Sequence, residues 1–219
     1  MENQKRYKYP RTYHFPWSPG LENDDRVTKS LDHFIGKEVI ATLKMDGENT
    51  SIYSDYLHSR SLEKEYHESR TWVNKLQGEI GHLLKPGERI CGENMAAFHS
   101  IKYKNLDSFF YVFSYWIDKE CQSWDDTVKR CAELELLTVP VLYRGIWNEA
   151  IIKKLYSPNY QGNEMEGYVV RPTAAFTGDF LVGKEWWLKE ITKYVRAGHV
   201  KKTDKHWKTK AVVWNEWKR

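Results

Sequence analysis

Cysteine is scarce in this 219-residue chain: Cys91, Cys121 and Cys131 are three in number, with no C-x-x-C pair and no Cys/His spacing suited to a metal. That pattern argues against a disulfide framework and against a zinc-held fold. Long apolar stretches are missing as well. No run approaches the roughly 18 residues that cross a bilayer, and the polar start MENQKRYKYPR lacks the apolar core of a secretion signal. The expectation is a cytoplasmic protein that does not enter a membrane. His58, His99, His199 and His206 form neither H-x-x-x-H nor H-E-x-x-H, the spacings that put two imidazoles on one metal. Internal repeats, low-complexity linkers and a regular βαβ alternation are absent too, which leaves one domain with its own core as the simplest organisation.

What is present is an aromatic-rich, highly charged chain. Hydrophobic residues make up 41% and aromatic residues 15%, far from a disordered composition, while 29% are charged. Lys and Arg number 34 against 30 Asp and Glu, so the net charge of +4 does not by itself indicate nucleic-acid binding. Placement says more. From Lys189 to Arg219 basic residues alternate with Tyr194, Trp207, Trp214 and Trp217, a mixture suited to phosphates and stacked bases. A basic terminal segment whose tryptophans dock on the core has the same composition.

Short β-rich runs at residues 38–43, 51–53, 89–91, 109–115, 139–143 and 167–171 alternate irregularly with two helical patterns. Trp72, Leu76, Ile80 and Leu83 recur at helical intervals over residues 69–84, before Pro86-Gly87 stops the run. Ser123 can cap a second helix over 123–137, with Asp125 and Asp126 at the positive end of its dipole and Val128, Cys131, Ala132 and Leu136 as the apolar stripe. These parts predict an antiparallel α+β domain.

The strongest local feature is Lys44-Met45-Asp46-Gly47, directly after the apolar run ending in Leu43. A lysine leaving a buried strand is expected to have its ammonium pKa lowered by desolvation, as a nucleophilic amine requires at neutral pH. Gly47 would let the backbone turn close to a ligand. A hairpin turn with a solvated lysine has the same spelling. Farther on, Glu166-Gly167-Tyr168-Val169-Val170-Arg171-Pro172 opens a strand with an acid and ends it with Arg-Pro. The acid can hold a hydrated Mg²⁺ and the arginine can meet phosphate oxygens, though a structural strand with flanking charges reads identically.

Taken in order, these pieces resemble the covalent nucleotidyltransferases, the ATP-dependent DNA and RNA ligases and the mRNA capping guanylyltransferases. His58-Ser59-Arg60 resembles the motif after the nucleophile, Cys91-Gly92-Glu93-Asn94 a ribose-binding strand, and the run around Phe113 a strand whose aromatic stacks on the purine. Glu166-Gly167 is similar to the metal-serving motif, and Lys189 with Lys193 to the last motif, although K-x-x-x-K stands where the family usually has K-x-K. The Glu166 stretch and the following Lys-Tyr-Val-Arg are closest to the RNA ligase branch.

The resemblance implies the adenylation-domain fold over residues 1–196, antiparallel sheets flanked by helices with the nucleotide pocket between them, followed by a basic tail at 197–219 without an OB fold. It implies Lys44 as nucleophile and Lys44, Glu166, Lys189 and Lys193 as catalytic residues. Leu43, Arg60, Glu93 and Phe113 join them around ATP, with Glu166 on Mg²⁺ or Mn²⁺. The implied reaction joins 5′-phosphate and 3′-hydroxyl RNA ends through lysyl-AMP. The implied partner is RNA, with DNA or mixed nicks as alternatives, and an accessory protein or domain in trans is the alternative to a minimal enzyme. A DNA ligase, a guanylyltransferase and an inactive nucleic-acid-binding module remain the other readings.

Overall fold

The computed structural model describes residues 5–22, 25–62, 67–177, 187–198 and 211–218, without the side chains of 187–189. In chain order the strands are β1 (Arg11–His14), β2 (Glu38–Lys44), β3 (Glu48–Ile52), β4 (Leu57–Ser59), β5 (Glu88–Asn94), β6 (Phe110–Ile117), β7 (Glu120–Cys121) and β8 (Leu137–Thr138). They continue with β9 (Val141–Ile146), β10 (Asn159–Tyr160), β11 (Asn163–Glu164), β12 (Gly167–Pro172), β13 (Phe176–Thr177) and β14 (Trp187–Val195). The helices are α1 (Thr71–Ile80), α2 (Trp124–Glu133) and the short α3 (Glu149–Lys153). All six β-rich runs of the sequence fall on strands, and both long helical patterns contain helices. The fold is α+β, as expected.

Two main sheets form, with strand orders β1-β14-β12-β2-β9 and β13-β7-β6-β5-β3-β4, and β8 lies beside β6. Pairing is antiparallel except for β1 with β14 and β6 with β8. Because side chains alternate across a strand, each sheet divides its residues between two environments. Ile90 of β5 and Phe110 and Val112 of β6 pack beneath α1 and α2 with Val73, Ile80, Cys131 and Leu134. Their neighbours Cys91 and Phe113 turn the other way, and join Tyr9, Trp116, Val169 and Ile191 in a cluster that draws on both sheets. On β12, Tyr168 and Val170 belong to a third cluster with Phe15, Phe34, Ile40 and Ile152.

The helices differ from their patterns in one instructive respect. Ser123 caps α2 as expected, its hydroxyl accepting from Asp126 N at 3.0 Å. The buried face, however, runs through Trp124, Thr127 and Cys131, while Val128 is 43% exposed. A helix rotated by one position lets the larger Trp124 take the core, and burying an indole outweighs burying a valine. Around α1, Glu68–Arg70 and Gly81–Leu83 are 3-10 turns; the second rotates Leu83 outward and Leu84 inward.

Residues 211–218 lie on the domain. Trp214 bridges to Ala97 and Trp217 to Leu106. Asn215 is buried, donating to Met95 O at 2.8 Å and Ala97 O at 3.1 Å while accepting from Tyr103 N at 2.9 Å. Trp217 packs against Phe109, with ring centroids 5.1 Å apart. Trp207, His199 and His206 lie outside the described residues.

Candidate active site

Between the sheets is a cavity of about 540 Å³, lined from one side by β2, β12 and β14 and from the other by β5 and β6. Strand alternation decides what enters it: Val169 and Arg171 of β12 and Ile191 and Lys193 of β14 face the cavity, whereas Tyr168 and Val170 do not. Leu43, Lys44, Arg60, Glu93, Phe113 and Lys193, all singled out from sequence, line it together. The side chain of Lys189, on β14, lies outside the described residues.

Register brings the two strongest motifs into contact. Gly167 pairs with Lys44, and the side chain of the preceding Glu166 meets the Lys44 amine, with Nζ 2.8 Å from each carboxylate oxygen. This contact joins residues 122 positions apart. Gly167 is required there, because a Cβ would overlap the Tyr194 carbonyl oxygen of the adjacent β14. Gly47 answers a similar need: a Cβ would come within 2.5 Å of Asn94 O on β5. Its role is thus close approach between strands.

The electrostatics correct one expectation. Burial pulls the Lys44 amine toward neutrality, but Glu166, Glu93 and Asp46 outweigh it, and the pKa lies above the ordinary lysine value. The desolvated, lowered amine expected from sequence is therefore not the state of the unliganded protein. Glu166 is pushed up to about 7, burial exceeding the pull of Lys44, and Glu93 up to about 8 by burial with Glu166 as a like-charged neighbour. Glu93 also accepts from Gly47 N at 3.2 Å, linking β5 to the turn after Lys44. Asp46 points elsewhere. One of its oxygens receives Ser100 N, Ser100 Oγ and Ile101 N at 2.7 to 2.8 Å, and so fixes the 100–101 loop.

Among the described residues, no group of three or more His, Cys, Asp or Glu side chains forms a ready metal cage. A Mg²⁺ ion needs less, since it commonly uses one or two carboxylates and takes its other oxygens from phosphates and water. The buried Glu166, with Glu93 in the same electrostatic cluster, fits that requirement.

Phe113 is half-buried and meets Tyr9 edge to face, with centroids 5.2 Å apart. Arg60 is exposed at the cavity edge, just after β4. His99 also lines the cavity. The sequence reading left Arg171 as a generic phosphate contact, and Tyr9, Arg11 and Val169 unassigned. Arg171 is 3% exposed, donates to Pro172 O and to Gln122 O, and keeps Nη1 without a hydrogen-bond partner.

A cavity between two mainly antiparallel sheets, with a lysine after one strand ion-paired to a glutamate before another, is the centre of this α+β fold. A family model for RNA ligases matches residues 37–195, and the chain belongs to the RNA ligase family. Solved structures of Naegleria gruberi RNA ligase are similar in fold. An apo point mutant superposes with a TM-score of 0.53 at 18% identity, over 75% of this chain and 51% of that one. Two other point mutants, each with ATP and Mn, give TM-scores of 0.52 and 0.51 at 16% and 17% identity, with the same coverage. The chain thus spans about half the length of these ligases. No curated protein matches.

Proposed function

We propose that the chain is an ATP-dependent RNA ligase that joins 5′-phosphate to 3′-hydroxyl ends through a lysyl-AMP intermediate on Lys44. The observation that carries this reading is the Lys44–Glu166 contact at the edge of a nucleotide-sized cavity, made by two motifs far apart in the chain. Its support is the family membership and the fold shared with a ligase solved with ATP and Mn.

The chemistry follows from the groups present. Lys44 must release its proton before its lone pair attacks the α-phosphate; an N–P bond then forms, the P–O bond to the leaving phosphate breaks, and pyrophosphate departs. Negative charge on the nucleotide enters a wall that carries Lys193 and Arg60, which act by positioning and charge stabilisation. Lys189 is assigned to the same task. A divalent Mg²⁺ or Mn²⁺ held by Glu166 would neutralise phosphate charge and loosen the grip of Glu166 on the Lys44 amine. Glu93, on the cavity wall, takes the role of acceptor for ribose hydroxyls. Phe113 and Val169 offer apolar faces to the purine from opposite sheets.

Arg171 offers a donor to an acceptor on the nucleotide, a contact that either purine can supply. AMP then passes to an RNA 5′-phosphate, and attack by a 3′-hydroxyl releases it. The test is ligation of matched 5′-phosphorylated RNA and DNA, nicked and single-stranded, with ATP and Mg²⁺. Sealing of RNA with ATP is expected. Sealing confined to DNA nicks, labelling by GTP alone, or RNA binding without labelling would each replace the proposal with the corresponding alternative.

A further inference from the structure

The match to the family begins at residue 37, yet residues ahead of it reach the cavity. β1 runs beside β14 with His14 in register with Lys193. His14 is fully buried; its Nδ1 is hydrogen-bonded with Ser18 Oγ at 2.9 Å, while its Nε2 lies 3.1 Å from Asp25 Oδ2, a close contact without hydrogen-bond geometry. Ser18 is fixed to β14, its hydroxyl accepting from Val195 N at 2.9 Å and donating to Val195 O at 3.3 Å. Asp25 receives Lys193 Nζ on its other oxygen at 3.3 Å. The carboxylate therefore spans a buried ring on one side and a cavity lysine on the other.

Lys193 has competing neighbours. Lys44 faces it from β2, Glu166 from the start of β12, and His14 and Asp25 from the N-terminal segment; Arg11 of β1 and Glu93 of β5 line the same cavity. Burial first, and Lys44 second, pull the Lys193 amine below the ordinary lysine range, and Asp25 opposes both. An untethered Lys193 could turn to Glu166 and compete with Lys44 for the same carboxylate.

We propose that Asp25, oriented by His14 and Ser18, is a positioning residue that holds the Lys193 amine on the cavity wall, apart from Lys44 and ready for nucleotide phosphate oxygens. This role rests on the ligase reading for its purpose but not for its geometry. The N-terminal segment is, in these terms, part of the active site rather than an outer strand.

The test compares wild type, D25N and D25E. Covalent adenylylation from ATP is followed against pH, and Lys193 is titrated by ¹³C NMR after reductive methylation, without nucleotide. In D25N the Lys193 resonance should titrate at lower pH and the alkaline limb of adenylylation should move the same way, with labelling slowed roughly tenfold at pH above both titrations, the equivalent of one pKa unit, and little changed below them. D25E should restore both in part. In a Lys193→Met background D25N should add nothing, since coupled residues do not add.

An unchanged Lys193 titration and pH profile in D25N overturns the proposal. So does an equal loss at every pH that D25E leaves in place, or a multiplied loss in the Lys193→Met background, because either marks a purely structural role. Asp25→Ser replaces D25N if the amide does not fold. A wild type that never labels sinks the ligase reading instead, and the NMR titration still decides the role of Asp25.

Discussion

Replacing Arg70 by alanine should destabilise the protein more than any exposed ion-pair mutation, and the geometry sets the size of the effect. Arg70, at the entry to α1, makes two charge-assisted bonds to Glu48, Nε to Oε2 at 2.7 Å and Nη2 to Oε1 at 2.6 Å. Both residues are buried, at 5% and 7% exposure. Truncating one partner leaves a buried carboxylate without its guanidinium, a change that costs about 3–5 kcal/mol. For a chain of this length that corresponds to a fall in Tm of about 6–20 °C. Glu48 directly follows Gly47 and lines the cavity, so labelling at Lys44 should fall with stability. Urea unfolding of R70A, of Glu48→Gln and of the double variant measures the coupling. A cost for R70A below about 1 kcal/mol, the range of exposed pairs, would refute the reasoning, as would additivity in the double variant. Lys75–Glu79, an exposed i,i+4 pair, is the internal control and should cost almost nothing when broken.

Arg171→Met keeps the volume but removes the donor; the KM for ATP should rise roughly tenfold, the worth of one hydrogen bond from a charged group. An unchanged KM in Arg171→Met would remove Arg171 from nucleotide recognition. Asn215→Ala leaves two carbonyls and one N–H on the 95–103 segment without their partner and should cost about 2 kcal/mol or more in thermal unfolding; an unchanged Tm would mean that the C-terminal segment does not hold this loop. The buried histidines make an acid-sensitive contribution to stability. Burial holds His14, His33 and His58 below the ordinary value of 6.5, so the unfolded chain binds more protons as pH drops through 6.5 and the contribution of these rings is lost below it, whereas the raised Glu166 and Glu93 act with the opposite sign over the same window. The stability of His58→Gln relative to wild type should therefore rise between pH 7 and 5, and a constant difference would contradict this.

The parts of the fold that were legible in the sequence are those set by local apolar patterning. The runs ending in Leu43 and Arg171 are continuous because both faces of β2 and β12 are covered, one by the outer cluster and one by the cavity. The nucleophile motif was visible for the same reason, as a lysine leaving a buried strand. What local pattern could not supply is register. Arg11–His14 carries no strand signature, and only its pairing with β14 turns His14 and Asp25 toward Lys193. Asn215 likewise has meaning only through Met95, Ala97 and Tyr103, more than 110 positions away. The charge on Lys44 is not legible locally, because desolvation is a property of one residue, whereas the three carboxylates that overrule it come from β5, the residue before β12 and the Asp46 turn. Val128 failed on rotation: a stripe chosen by residue type cannot tell which of two neighbouring faces meets a tryptophan-sized space.

The most direct measurement of the central claim is peptide mass spectrometry after incubation with ATP and Mg²⁺, on wild type and on Lys44→Ala. A single adenylyl phosphoramidate mapped to Lys44, and no adduct in a folded Lys44→Ala, is the predicted result. An adduct on another side chain, or labelling that survives in Lys44→Ala, would contradict it.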